Sequence, residues 1–174
     1  MGALAGAIMG GGKNATRGAI GGGALTMLAS LAISALKNAG QTPSQMPNAL
    51  LGETPQQQAA VEADSIIIIK AMINAAKADG EIDPQEIEKI TGKLSADGLQ
   101  AKQFFLAETG KPMDTQALIA AAQGRPELAA QIYAASLLAI DVDTPQETAY
   151  LRDLATRLGL SPQVTGHIEQ CLGC

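Results

Sequence analysis

Thr144-Pro-Gln-Glu-Thr-Ala-Tyr-Leu-Arg-Asp-Leu-Ala-Thr-Arg-Leu-Gly159 carries every signal of a helix within sixteen residues. Thr144 offers an oxygen at the N-cap. Pro145 takes the first helical position, where a missing N–H is harmless, and Glu147 at the third can reach back to the cap amide. Leu151, Leu154 and Leu158 recur at three and four residues and share one face. Gly159 stands where a left-handed residue ends a helix. The same pattern opens Thr54-Pro-Gln-Gln57, Asp83-Pro-Gln-Glu86 and, in a shorter form, Ser161-Pro162. Gly80, Gly110 and Gly124 stand at further helix ends, and Ile66, Ile69, Ile73 and Ile87, Ile90, Leu94 repeat the apolar period. The run Ile66 to Ile69 sits inside one 3.6-residue pattern between alanine-rich stretches, so it reads as a helix buried on several sides and not as a strand. The spacing predicts helices over 55–79, 84–95, 100–109, 115–123, 126–140, 145–158 and 162–172. The fold class is all-α.

Composition agrees. Of 174 residues 47% are hydrophobic, mostly Ala, Leu and Ile, with two Phe, two Tyr and no Trp. Strong helix formers are abundant and the aromatic strand formers are nearly absent. Charge divides unevenly: Lys13, Arg17 and Lys37 give +3 before Glu53, and the remainder carries −8. An acidic body lacks the clustered cations that displace counterions from nucleic acid, so no nucleic-acid partner is expected.

The N-terminal 37 residues are a different material. Gly2, Gly6 and Gly10, then Gly18 and Gly22, fall four apart, a spacing that lets helix backbones approach closely inside membranes. Gly18 to Leu36 holds no charge and would extend about 28 Å as a helix, near the ~30 Å hydrocarbon core of a bilayer. Arg17 and Lys37 bracket it. No positive region precedes the first apolar stretch, so a secretory signal fits poorly. The expected organisation is a membrane-associated segment over 1–37, a linker over 38–54 punctuated by Pro43, Pro47 and Gly52, and a helical domain over 55–174. Lys13 and Arg17 favour an inside N-terminus, whereas free thiols suit a cytoplasmic bundle.

Two acidic turns echo one another. Ala75-Ala-Lys-Ala-Asp-Gly-Glu-Ile-Asp-Pro-Gln-Glu86 precedes one predicted helix, and Ala139-Ile-Asp-Val-Asp-Thr-Pro-Gln-Glu147-Thr-Ala-Tyr-Leu precedes another. Their Pro-Gln-Glu anchors lie 61 apart and their apolar triads 64 apart, so the repeat is approximate. These runs resemble the tellurite-resistance TerB-like superfamily over roughly residues 55–172. Within it the chain is similar to the DUF533 family, the YebE-like inner membrane proteins, in which a glycine-rich apolar segment also comes first. The resemblance implies a compact helical bundle with approximate internal two-fold symmetry at the bacterial inner membrane. It implies no reaction. Asp141 is not followed by glycine, so the second turn need not copy the first.

Asp79, Glu81, Asp83 and Glu86, with Asp141, Asp143 and Glu147, form the densest polar constellation, and clustered carboxylates suit Ca²⁺ or Mg²⁺. An EF-hand is excluded, because counting from Asp79 its sixth position is Pro84 and its twelfth Ile90. Asp83 and Glu86 serve equally as helix caps facing the positive end of a dipole. Cys171 and Cys174 lack the further ligands of a closed zinc site and the βαβ context of a redox pair; they read as incidental thiols. His167, the sole histidine, reads as a surface residue. No nucleophile elbow, phosphate loop or metalloprotease motif is present. Two functions stand side by side: a membrane-anchored, non-enzymatic module that contacts a bilayer and protein partners or itself, and a divalent-cation sensor built on the acidic turns.

Overall fold

The computed structural model describes residues 22–50, 54–78, 82, 99–140, 142 and 144–173. Among them the chain is all-α, with no strand. Its helices are α1 (Gly22–Asn38), α2 (Pro55–Ala76), α3 (Leu99–Thr109), α4 (Thr115–Ala122), α5 (Pro126–Ala139), α6 (Pro145–Arg157) and α7 (Pro162–Leu172), with a 3₁₀ turn over Asn48–Leu50. From α2 onward each start falls within one residue of its predicted place. The helix expected over 84–95, and with it one half of the expected two-fold, lies outside the described residues.

The starts follow from local chemistry. Thr54 with Gln57 and Thr144 with Glu147 both close reciprocal capping boxes ahead of an N1 proline. Ser161 caps α7, and Asp114 caps α4 through a 2.9 Å bond from the Ala117 amide. Gly124 and Gly159 end α4 and α6 with φ near +70°, where a side chain would be strained. Gly110 does not adopt the left-handed conformation expected of it. Thr109 Oγ1 donates to the Leu106 carbonyl at 2.8 Å and the Lys111 amide to the Glu108 carbonyl, so the last carbonyls of α3 are satisfied without such a turn.

Helix α5 is the axis. Every residue from Glu127 to Leu137 is buried, as a helix surrounded by others requires. On one side Tyr133, Ala134 and Leu137 join Ile69, Ile73, Val164 and Ile168; on the other Leu128, Ala129 and Ile132 join Ala71, Leu118 and Leu154. Fully buried leucines and isoleucines such as these contribute about 1.5–3 kcal/mol each. The alanines of α2 and α5 let the helix backbones pack closely. Ile66 to Ile69 are all at least half-buried, as the pattern predicted, with Ile68 and Ile69 in the first cluster and Ile67 packed against the second.

The first helix corrects an expectation. Gly18 to Leu36 reads as a bilayer span, yet Leu28, Ala29, Ala32, Ala35 and Leu36 of α1 are completely buried, packed on α5 and α7 within the same core as residues beyond 55. Its outward stripe is Thr26, Ser30, Ser34 and Lys37, all exposed. A span would present its apolar side to lipid; here that side is used inside the bundle and hydroxyls face out. Among the described residues no helix is long and apolar enough to cross a membrane. The segment expected to be a linker, 38–54, therefore joins two parts of one core where α1 is concerned.

Candidate functional site

A cleft of about 400 Å³ opens between α2, the end of α3 and the loop into α4. Lys70, Ile73 and Asn74 form one wall, consecutive on a single helical face. Glu108, Lys111, Pro112, Met113 and Asp114 form the other. Two lysines share one carboxylate. Lys111 Nζ pairs with Glu108 Oε1, while Lys70 Nζ stands 4.0 Å from Oε2, beyond hydrogen-bond reach. Lys77 donates its ammonium to the Lys111 carbonyl and ties α2 to the loop. Asn74 is 5% exposed, and its amide nitrogen has no hydrogen-bond partner. A buried polar group without a partner costs about 1–3 kcal/mol.

Of the acidic residues singled out in the sequence, Asp79, Glu81, Asp83, Glu86, Asp141 and Asp143 lie outside the described residues. Glu147 is buried and works as a cap: its Oε2 accepts from the Thr144 amide at 3.0 Å and the Thr144 hydroxyl at 2.8 Å. To ligate a cation through that oxygen it would have to leave the start of α6. Among the described residues no three His, Cys, Asp or Glu side chains are grouped to hold a metal. Of the glycines, Gly22 opens α1, and Gly2, Gly6, Gly10 and Gly18 lie outside the described residues.

His167 is not a bare surface residue. It is half-buried, and its Nε2 meets Ser34 Oγ at 3.1 Å and Cys171 Sγ at 3.5 Å. It thereby links α7 to the outer stripe of α1. Cys171 itself is exposed in the last turn of α7.

At the start of α5 two buried carboxylates meet different fates. Asp64 receives both arms of Arg125, at 2.9 and 2.8 Å, and the Asn48 amide at 2.8 Å. It ties the 3₁₀ turn, α2 and α5 together. Glu127, two residues after Arg125, is 2% exposed, with both carboxylate oxygens unpartnered. Tyr150 of α6 also buries its hydroxyl without a hydrogen bond of good geometry. Burial pushes it up to about 12, only partly offset by the nearby Ser136 hydroxyl and the charge of Arg157.

The cleft residues carry no sequence signature. Lys70 and Asn74 look like ordinary polar positions on an amphipathic helix, and the opposite wall of the cleft lies more than thirty residues away in the chain. Only Asn74, a polar residue set among Ile73, Ala75 and Ala76, hinted at a buried amide. No curated protein and no solved structure matches the chain. Residues 1–172 match the family described as a protein of unknown function, DUF533, a description that names no activity. With essentially its whole length covered by that match, this chain belongs to the DUF533 family.

Proposed function

We propose that the chain is a non-enzymatic helical interaction module, attached to the cytoplasmic face of a bilayer by the glycine-rich residues ahead of α1. One observation carries the reading: the apolar side of α1 is consumed by the core while its hydroxyl stripe faces out. The apolar residues left to meet lipid are then those of the stretch 1–21, which also holds Lys13 and Arg17. Eleven residues from Gly2 to Gly12 are too few to span the hydrocarbon core, so the contact is interfacial, with the two cations at the headgroups. The exposed Cys171 thiol suits a reducing compartment. The cation-sensor reading gains no support from Glu147, whose carboxylate is engaged in a cap.

Flotation of the full chain with vesicles tests this. The chain should rise with vesicles containing anionic lipid, and Lys13→Glu with Arg17→Glu should reduce the floated fraction while leaving the helical spectrum unchanged. A full chain that stays at the bottom of the gradient with both neutral and anionic vesicles would overturn the attachment.

A further inference from the structure

We propose that His167 and Cys171 of α7, with Ser34 of α1 beside them, form an open binding site for a thiophilic divalent transition ion such as Zn²⁺. The two donors stand four residues apart, so one face of α7 presents both. Their ligating atoms, His167 Nε2 and Cys171 Sγ, are 3.5 Å apart. A tetrahedral ion at about 2.3 Å from sulfur and about 2.0 Å from nitrogen holds those two atoms about 3.5 Å from one another. The pair therefore already has the separation that such an ion requires. Without an ion, one ring nitrogen faces both the Cys171 thiol and the Ser34 hydroxyl, the latter at 3.1 Å. That nitrogen can donate one proton or accept one, so it serves only one of the two well. An ion engages the nitrogen and the sulfur together and leaves Ser34 Oγ to accept a hydrogen bond from a metal-bound water. Binding sends the thiol proton to solvent, so that the ion meets a thiolate. Sulfur with imidazole selects Zn²⁺ and its neighbours over Ca²⁺ and Mg²⁺, which take oxygen. The last turn of α7, which carries Cys171, is the negative end of its dipole and favours a cation. Cys171 is exposed, so the ion enters from solvent and water fills the positions that two protein donors leave open. The site is independent of the N-terminal attachment, so either can fail alone.

The test is a titration of the reduced full chain, free of any histidine tag, with Co²⁺ as a spectroscopic stand-in for Zn²⁺. Cys174 is the only other cysteine, so Cys174→Ser leaves Cys171 as the sole thiol and serves as the reference chain. Co²⁺ should produce a saturable sulfur-to-cobalt charge-transfer absorption in the near ultraviolet, and Zn²⁺ should displace it while Mg²⁺ should not. Loss of a residue that merely supports a metal ligand costs about 10–100-fold in affinity, so loss of a ligand should cost at least about tenfold. In the reference chain, His167→Gln should weaken Co²⁺ binding by that factor, and Cys171→Ser should abolish the charge-transfer band. Excess Zn²⁺ should raise the melting temperature of the reference chain and leave that of Cys171→Ser unchanged. Cys171 is exposed, so its variant reports even if the half-buried His167 position is perturbed. No saturable charge-transfer band, a band of undiminished affinity in His167→Gln, or equal Zn²⁺ stabilisation of Cys171→Ser would each overturn the assignment.

Discussion

Asp64 and Glu127 are both buried carboxylates near the start of α5, and they stand in opposite chemical positions. Asp64 accepts three hydrogen bonds, from Arg125 and Asn48, and joins three segments of chain. Glu127 accepts none through its side chain. Burial therefore does not by itself mark a stabilising or a functional group; the partners decide. A paired carboxylate fixes which segments meet, whereas an unpaired one subtracts from stability unless something else uses it.

The sharpest way to break the comparison is to strand Asp64. Arg125→Leu leaves an apolar side chain but removes both guanidinium bonds, and should lower unfolding free energy by about 3 kcal/mol in denaturant titration. Asp64→Leu combined with Arg125→Leu should recover most of that loss, because no charge is left buried alone. Additive losses would show that packing, and not the ion pair, dominates there.

Glu127 should respond with the opposite sign. Glu127→Leu removes two unpartnered oxygens in a volume-conserving change and should raise the melting temperature, with a gain of about 2 kcal/mol. A loss would mean that the carboxylate has a role in the folded chain that its surroundings do not display.

Tyr150 extends the contrast to a neutral group. Its hydroxyl is pushed up to about 12 in the folded chain against 10.0 when free, so the unfolded state gives up its proton first. The stabilisation is whole below pH 10 and is lost as pH rises towards 12, by about 1–2 kcal/mol. Tyr150→Phe should remove this component of the alkaline decline and, having no orphan hydroxyl, should be no less stable at pH 7. The smallest effect concerns a carboxylate whose partner is local. Thr144→Ala opens the capping box on Glu147 and should cost about 1 kcal/mol in thermal unfolding, without disturbing the distant Asp64 cluster.

Much of the fold was legible because its signals are local. Thr54-Pro-Gln-Gln57 and Thr144-Pro-Gln-Glu147 make their capping boxes from atoms three residues apart, and Gly124 and Gly159 turn the chain by their own conformational freedom. These need no tertiary partner to be read. Gly110 shows the limit, since Thr109 and Lys111 supply another ending to α3.

What the residues alone determined about this protein is that it is helical, where most helices begin, and that it belongs among DUF533 chains. The tertiary structure decided the use of each apolar face. The stripe Leu28, Ala29, Ala32, Ala35, Leu36 suits a bilayer or a protein core equally well, because both reward removal from water; packing on α5 and α7 settles the matter for α1. The same holds for polar groups. Nothing in the spacing of Asp64, Asn74 and Glu127 separates a tied carboxylate from an unpartnered amide and an unpartnered carboxylate, because each depends on which distant donor or acceptor the fold brings within about 3 Å.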